Sequence, residues 1–405
     1  MNIEWVREQF PVFNSNTKMV FMDNAGGSQT VGHAIHAITD YLTHYDVQLG
    51  ASYATSAAAA AQLARATDHI QTYLNAEQNE EVVMGPSSTA LIRILSLCLA
   101  ETWQVGDEVI ITDVDHEANR AAWLELKKKG IVIKTWRIRP DTLSLETDDL
   151  LELMTAKTRL VCFTHVSNIL GTINPVKDWT RLIHEHGAHV CVDGVAYAPH
   201  RLIDVQDWDV DFYFFSTYKT FGPHQAVLYG KFDLLNGLPG FNHGFITTVP
   251  YKFQPGNVNY ELCYAMGAVV QYLSELGAGS AHATVSRDHL QAAYTQIADH
   301  EARLLEPLVD VLQHNPQVRI IGEPASDPER RVATLSFVHE HKDSQSIVKA
   351  VDPHRIGIRF GDFYAVKLID HLGLRNQQGV VRVSLAHYNT EAEVSQLIKV
   401  LQDSL

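Results

Sequence analysis

Cysteine is scarce in this chain: there are four in 405 residues, Cys98, Cys162, Cys191 and Cys263, and no two form a CxxC pair. A disulfide framework is therefore not expected. Three of the four fall in apolar runs, where a free buried thiol belongs, and a reducing, cytoplasmic setting fits that usage. Positive charge is also short, with 32 Lys and Arg against 47 Asp and Glu and a net charge of −15. That balance argues against a nucleic-acid or anionic-membrane surface, since both need clustered cations. The one basic run, Lys127-Lys128-Lys129, precedes Gly130 and reads as the C-terminal turn of a helix. No apolar run approaches 18 residues, so no membrane span is expected. The first eight residues already carry Glu4, Arg7 and Glu8, so no secretory leader is expected there. Internal repeats, long linkers and low-complexity tracts are missing too, apart from the alanine run 57–61.

What is present is ordinary globular composition, 46% hydrophobic and 20% charged, in a chain longer than one core usually is. Two domains are expected, with a boundary near 265–280. Between about 56 and 230 the patterning alternates. Helical periodicity over 56–74, from 87 onward, over 118–129 and over 176–185 is interleaved with short apolar runs. Those runs, 81–84, 108–112, 131–136, 159–164, 189–192, 212–216 and 226–229, read as strands. Such alternation predicts a mostly parallel sheet buried on both faces, with ligands held beyond the carboxyl ends of its strands. Further on, helices are expected over 262–276 and 287–314. Strands are expected over 331–338, 356–360 and 380–385, in a smaller α+β unit.

Several polar residues sit just past those strand ends: Asn168, Asp193, Ser216 and Lys219. An apolar strand running into a polar turn with a single lysine is a poor packing solution, but it holds an amine at a sheet edge where it can form a Schiff base. An aspartate ending an earlier strand can keep a proton on a pyridine nitrogen. Lys219 and Asp193 together point to pyridoxal 5′-phosphate (PLP).

Four motifs appear in order along nearly the whole chain: His165-Val166-Ser167-Asn168-Ile169-Leu170-Gly171-Thr172, Val192-Asp193-Gly194, Phe215-Ser216-Thr217-Tyr218-Lys219 and Arg382-Val383-Ser384-Leu385-Ala386-His387-Tyr388-Asn389-Thr390. With Val20-Phe21-Met22-Asp23-Asn24-Ala25-Gly26 they resemble the class V aminotransferase family of PLP enzymes, in particular its cysteine desulfurase and selenocysteine lyase branch. The resemblance implies an α/β fold of the fold-type I PLP class. Its large domain, with a mostly parallel seven-stranded sheet, would span 18–270. A smaller domain would combine 1–17 with 271–405. It implies Lys219 as covalent anchor and proton carrier, Asp193 on the ring nitrogen and His116 stacked on the ring. Asn168 would meet the phenolic oxygen, and Ser87, Ser88, Ser216 and Tyr218 the phosphate. Ser87 and Ser88 also read as an ordinary N-cap, and Asn168 as a turn residue. Asn257 falls where relatives carry a threonine that reaches the neighbouring subunit's phosphate, which implies a homodimer with a shared active site. Arg382, Arg359 and Asn24 are implied near an amino-acid substrate. A guanidinium can grip its carboxylate through two parallel bonds, although a surface ion pair is an equal reading of Arg359.

Besides Asn257, the chain departs from that pattern at three positions. Tyr218 replaces a histidine beside the lysine, and Ala196 replaces a glutamine or histidine near the cofactor. Tyr364 stands where desulfurases carry the cysteine that takes sulfur as a persulfide, and a phenol cannot do that work. The expectation is therefore a PLP-dependent enzyme of α-amino acids performing β-elimination or C–S cleavage without a persulfide cysteine. An aminotransferase or amino-acid epimerase, or a non-catalytic PLP-binding scaffold, are the alternatives. Phe360, Phe363 and Tyr364 suggest an apolar wall suited to a larger side chain. No metal is expected.

Overall fold

The computed structural model describes residues 1–15 and 19–405. Near the N-terminus a short strand, β1 (Val20–Phe21), carries the chain to Asp23. The large sheet is built from β2 (Val82–Gly85), β3 (Glu108–Thr112), β4 (Val132–Trp136), β5 (Thr158–Thr164), β6 (His189–Asp193), β7 (Phe212–Ser216) and β8 (Ala226–Gly230). Their order is β2-β8-β7-β6-β5-β3-β4. Neighbours from β7 to β4 run parallel, while β8 lies antiparallel to both β7 and β2. Period-two alternation sorts the side chains. Val161, Phe163, Val190, Val192, Tyr213 and Phe215 join one apolar cluster, and Leu160, Cys162, Cys191, Phe212 and Phe214 the other. Helices cover both faces, so every residue of β6 to β8 except His189 is buried. The sheet is α/β as expected.

The second sheet is antiparallel: β9 (Val318–Ile321), β10 (Thr334–His339), β12 (Arg359–Gly361) and β13 (Val380–Ser384), in the order β12-β13-β10-β9. Between them β11 (Ile356–Gly357) leaves this sheet to pair in parallel with β1. A third apolar cluster lies here, around Leu335, Phe337, Val381 and Leu397.

Several boundaries differ from the sequence reading. The expected strand 356–360 is broken at Ile358, because its two halves serve different partners. The strand expected from 331 begins at Thr334, since Arg331 is buried and spends its guanidinium on the carbonyls of Glu323 and Thr334. The helix expected over 118–129 stops at Leu124 and tightens into a 3-10 turn over Glu125–Lys129, closed by Gly130 at φ 82°. A helix over Gly32–His44 has no counterpart in the sequence reading. The position 17/18 lies at residues outside those described. Position 270/271 falls inside the helix Tyr260–Ala278, which packs into the same cluster as the large sheet.

Candidate active site

The carboxyl ends of β5, β6 and β7 converge on one cavity lined by residues of five separate segments, among them Ser88, His116, Asn168, Asp193, Ser216 and Lys219. Asp193 is the last residue of β6, and Ser216 ends β7. The chain then turns tightly over Thr217–Lys219. Thr217 fastens this turn by donating from Oγ1 to the carbonyls of Pro223 (2.7 Å) and Gln225 (3.0 Å). Lys219 is thereby buried at 7% exposure. Burial, and next the charge of Arg382, pull its amine down to about 8, against the opposing pull of Asp193 and Asp23.

Asp193 faces this amine from the neighbouring strand. Its Oδ1 accepts from the Val195 N–H at 2.9 Å. Burial pushes its carboxyl up to about 6, while the Val195 N–H and Lys219 hold it back. A cation placed against it would bring that value down again. Gly194 is forced by packing: a Cβ there would lie 2.1 Å from the Tyr213 ring.

The helix Ser88–Ala100 points its N-terminus at the cavity. Ser87 caps it, accepting from the Ala90 N–H at 3.2 Å, and Ser88 Oγ lies 2.7 Å from Ser216 Oγ. The N-cap reading of Ser87 and the anion-site reading thus coexist, since capping leaves the remaining first-turn N–H groups free. His116 accepts from the Ala118 N–H on Nδ1 at 3.1 Å, so a neutral ring carries its proton on Nε2. Burial, then Lys219 and Arg382, lower it to about 4, so it is neutral near pH 7. Asn168 donates from Nδ2 to the Phe363 carbonyl (2.9 Å), and its Oδ1 is buried with no hydrogen-bond partner. Tyr218 stacks on His224 with ring centroids 4.8 Å apart, and burial raises its phenol.

These residues fit PLP on structural grounds. The cavity offers a helix N-terminus with two serines for a phosphate, a buried amine for the aldehyde, and a buried carboxylate for a ring nitrogen. A neutral imidazole lies at the wall, and Asn168, which also lines the cavity, spends only one of its two amide hydrogens on the Phe363 carbonyl. A larger open groove of about 860 Å³ runs between residues 142–146 and 306–330, but its walls hold Glu146, Glu306, Asp310 and Glu323 and no lysine.

Arg382, 1% exposed, sits behind Asn168. Its Nη1 donates to the Asn168 carbonyl (3.1 Å) and its Nη2 to Asp23 Oδ1 (2.9 Å), while Nε is buried without a partner. The guanidinium lies 3.7 Å from the centroid of the Phe363 ring. Burial pulls it down to about 10, so it stays charged. Arg359 is more than half exposed and stands 3.7 Å from the other oxygen of Asp23. Asn24 is occupied within the chain, donating to the Ser384 carbonyl (2.8 Å) and Asn389 Oδ1 (3.2 Å) and accepting from the Tyr388 hydroxyl. Tyr364 is 67% exposed, with its ring 5.3 Å from that of His116. Asn257 is exposed, bonds Gln48 at 3.0 Å, and does not line the cavity of its own chain. All four cysteines are free, buried and away from the cavity walls. Among the described residues no group of three or more His, Cys, Asp or Glu is arranged to hold a metal ion, and no helix is long and apolar enough to cross a membrane.

Asp23 was not singled out from sequence, and Phe363 was read as part of an apolar wall, not as the ring against Arg382. Asp23 lies inside the quoted 20–26 motif and Phe363 beside Tyr364, but only the fold joins residues 359 positions apart.

Residues 20–397 match the family model for aminotransferase class-V. The chain is 40% identical over 413 residues to the aminotransferase-like protein FGM3 of Gibberella zeae, covering 99% of this chain and 98% of that protein. It is 33% identical over 407 residues to the cysteine desulfurase-like protein ustD of Aspergillus flavus, covering 97% and 88%. Its fold is similar to that of the cysteine desulfurase CsdA from Escherichia coli, solved in an S-sulfonic acid form. That match has a TM-score of 0.84 at 24% identity and covers 100% of this chain and 98% of the other.

Proposed function

The chain belongs to the class-V aminotransferase family of PLP-dependent enzymes, and from that premise we propose a C–S or β-elimination lyase of α-amino acids that works without a persulfide cysteine. The observation that carries this reading is a cavity lined by candidate cofactor contacts with Tyr364, not a cysteine, beside its His116. The thiols lie buried elsewhere, and burial pushes Cys98 up to about 11 and Cys263 to about 12. A thiolate nucleophile needs the opposite environment. Similarity to proteins named cysteine desulfurase-like supports a sulfur-bearing substrate.

When bound, PLP supplies an electron sink for charge developing at the substrate α-carbon. Lys219 anchors it and, once freed, takes the α-proton; an amine lowered to about 8 has a usable neutral fraction at pH 7. Asp193 holds the proton on the ring nitrogen. His116, neutral on this reading, covers the ring without repelling a cation. Arg382 orients the α-carboxylate. Ser87, Ser88, Ser216 and Tyr218 hold the phosphate, Asn168 reaches the phenolic oxygen with its second amide hydrogen, and Asn257 serves a neighbouring subunit in a homodimer. Four free thiols favour a reducing compartment such as the cytoplasm.

Incubating holoenzyme with L-cysteine, cystine and a cysteine conjugate should release pyruvate, ammonia and the sulfur leaving group. Alanine with protein-bound persulfide would overturn the reading. Transamination is favoured by one observation, the 40% identity to an aminotransferase-like protein. It predicts conversion of the cofactor to its amine form by a donor amino acid alone, with no pyruvate from cysteine conjugates.

A further inference from the structure

The Arg382 clamp is already half filled. A carboxylate bound in two-point fashion to the side edge of a guanidinium takes Nε and one Nη. Here Nη2 is held by Asp23 Oδ1 at 2.9 Å, while Nε is buried and bare. We propose that Asp23 is an internal carboxylate that holds Arg382 until a substrate carboxylate displaces it, and that Arg359 then receives it. This rests on the reading of Arg382 as the substrate clamp.

Three features support an exchange rather than a permanent pair. Asp23 Oδ2 already lies 3.7 Å from Arg359 Nη1, so the displaced carboxylate has a second cation within reach. Arg359 is exposed and has no other ion-pair partner among the described residues. Arg382 does not depend on Asp23 for its position: the Asn168 carbonyl holds Nη1 and the Phe363 ring lies against the guanidinium face. Phe363 is itself fixed, its carbonyl taken by Asn168 and its backbone at φ 49°, followed by Tyr364 at φ 61°. Gly26 leaves room for the carboxylate, since a Cβ there would lie 3.0 to 3.2 Å from all three of its carboxyl atoms. The charges agree as well. Two guanidiniums face one carboxylate, and a substrate carboxylate completes the second pair. Amides, esters and thioesters of amino acids lack the charge needed to displace Asp23, so the site selects free amino acids.

The test is calorimetric titration of the PLP-loaded enzyme with propionate, a carboxylate without an amine, and with L-alanine. Removing an internal competitor raises apparent affinity by the reciprocal of the free fraction, so Asp23→Asn should bind propionate about tenfold more tightly. Arg359→Ala should bind it several-fold more weakly, because displaced Asp23 has no receiver. A purely structural Asp23 gives the opposite sign, looser binding as Arg382 loses its support. Unchanged or weaker propionate binding in Asp23→Asn overturns the proposal, as does unchanged or tighter binding in Arg359→Ala. Arg382→Ala is the separate control: if it binds propionate as well as the parent, the clamp reading itself fails, whatever Asp23 does.

Discussion

A lysine is useful as a nucleophile only while it is uncharged, and the position of Lys219 decides how often that is. Held at about 8 by burial and by Arg382, its amine is roughly a tenth neutral at pH 7, against well under a thousandth for an ordinary lysine. The sign is fixed: lowering the pKa extends reactivity towards acid, and the neutral fraction grows as pH rises through 8. Apoprotein given PLP should therefore load faster from pH 6.5 to 8.5 with an apparent midpoint near 8, followed by the absorbance of the bound chromophore. His116, at about 4, adds no second limb in that window. A flat profile, or loading in Lys219→Ala that survives borohydride reduction, would remove the lysine from its role. The same residue shows what sequence can reveal at this scale. Lys219 and Asp193 stood out because a charged group ending an apolar strand is a conspicuous misfit. Asp23 did not, because a lone carboxylate in a short polar stretch looks like any surface aspartate until Arg382 is brought beside it.

At the scale of the element, the β6 end depends on the absence of a side chain at 194. A Cβ would lie 2.1 to 2.2 Å from three atoms of the Tyr213 side chain, which is itself fully buried, with its hydroxyl hydrogen-bonded to His165 at 3.1 Å. Neither side can yield, so Gly194→Ala should cost about 1–3 kcal/mol in urea unfolding of the apoprotein. It should also loosen PLP by shifting Asp193. Gly237→Ala, with nothing within 4 Å, is the matched control and should leave both readouts alone. Equal loss of stability in both variants would show that the packing argument is wrong. Strands such as 108–112 and 212–216 were legible because runs buried on both faces are apolar without interruption. The helix Gly32–His44 was hidden for the converse reason. It has no side-chain N-cap, and its inward face is made of Gly32, Ala34, Ala37 and Tyr41, of which the first three are small and give little periodic signal. The antiparallel setting of β8 was equally invisible, since apolar patterning carries no direction.

At the scale of the molecule, the segment 238–257 is anchored by buried Leu238, Val249 and Phe253 but leaves three aromatic side chains in solvent. Phe245 is 84% exposed, Tyr251 60% and Phe241 47%, and Asn257 stands near them in sequence with its side chain in solvent. A symmetric dimer, on the proposed reading, covers this apolar surface with a second copy of the chain. On the proposed reading that cover also completes the site, because Asn257 cannot serve the cavity of its own chain. Light scattering should give twice 45.3 kDa for the parent. Phe245→Asp touches nothing buried within its own chain, so it should leave monomer stability intact, shift the mass towards 45.3 kDa and lower PLP retention in the same sample. The coupling is what discriminates. A monomer that keeps its cofactor as tightly as the dimer would separate oligomerisation from the active site and return Asn257 to an ordinary loop residue bonded to Gln48.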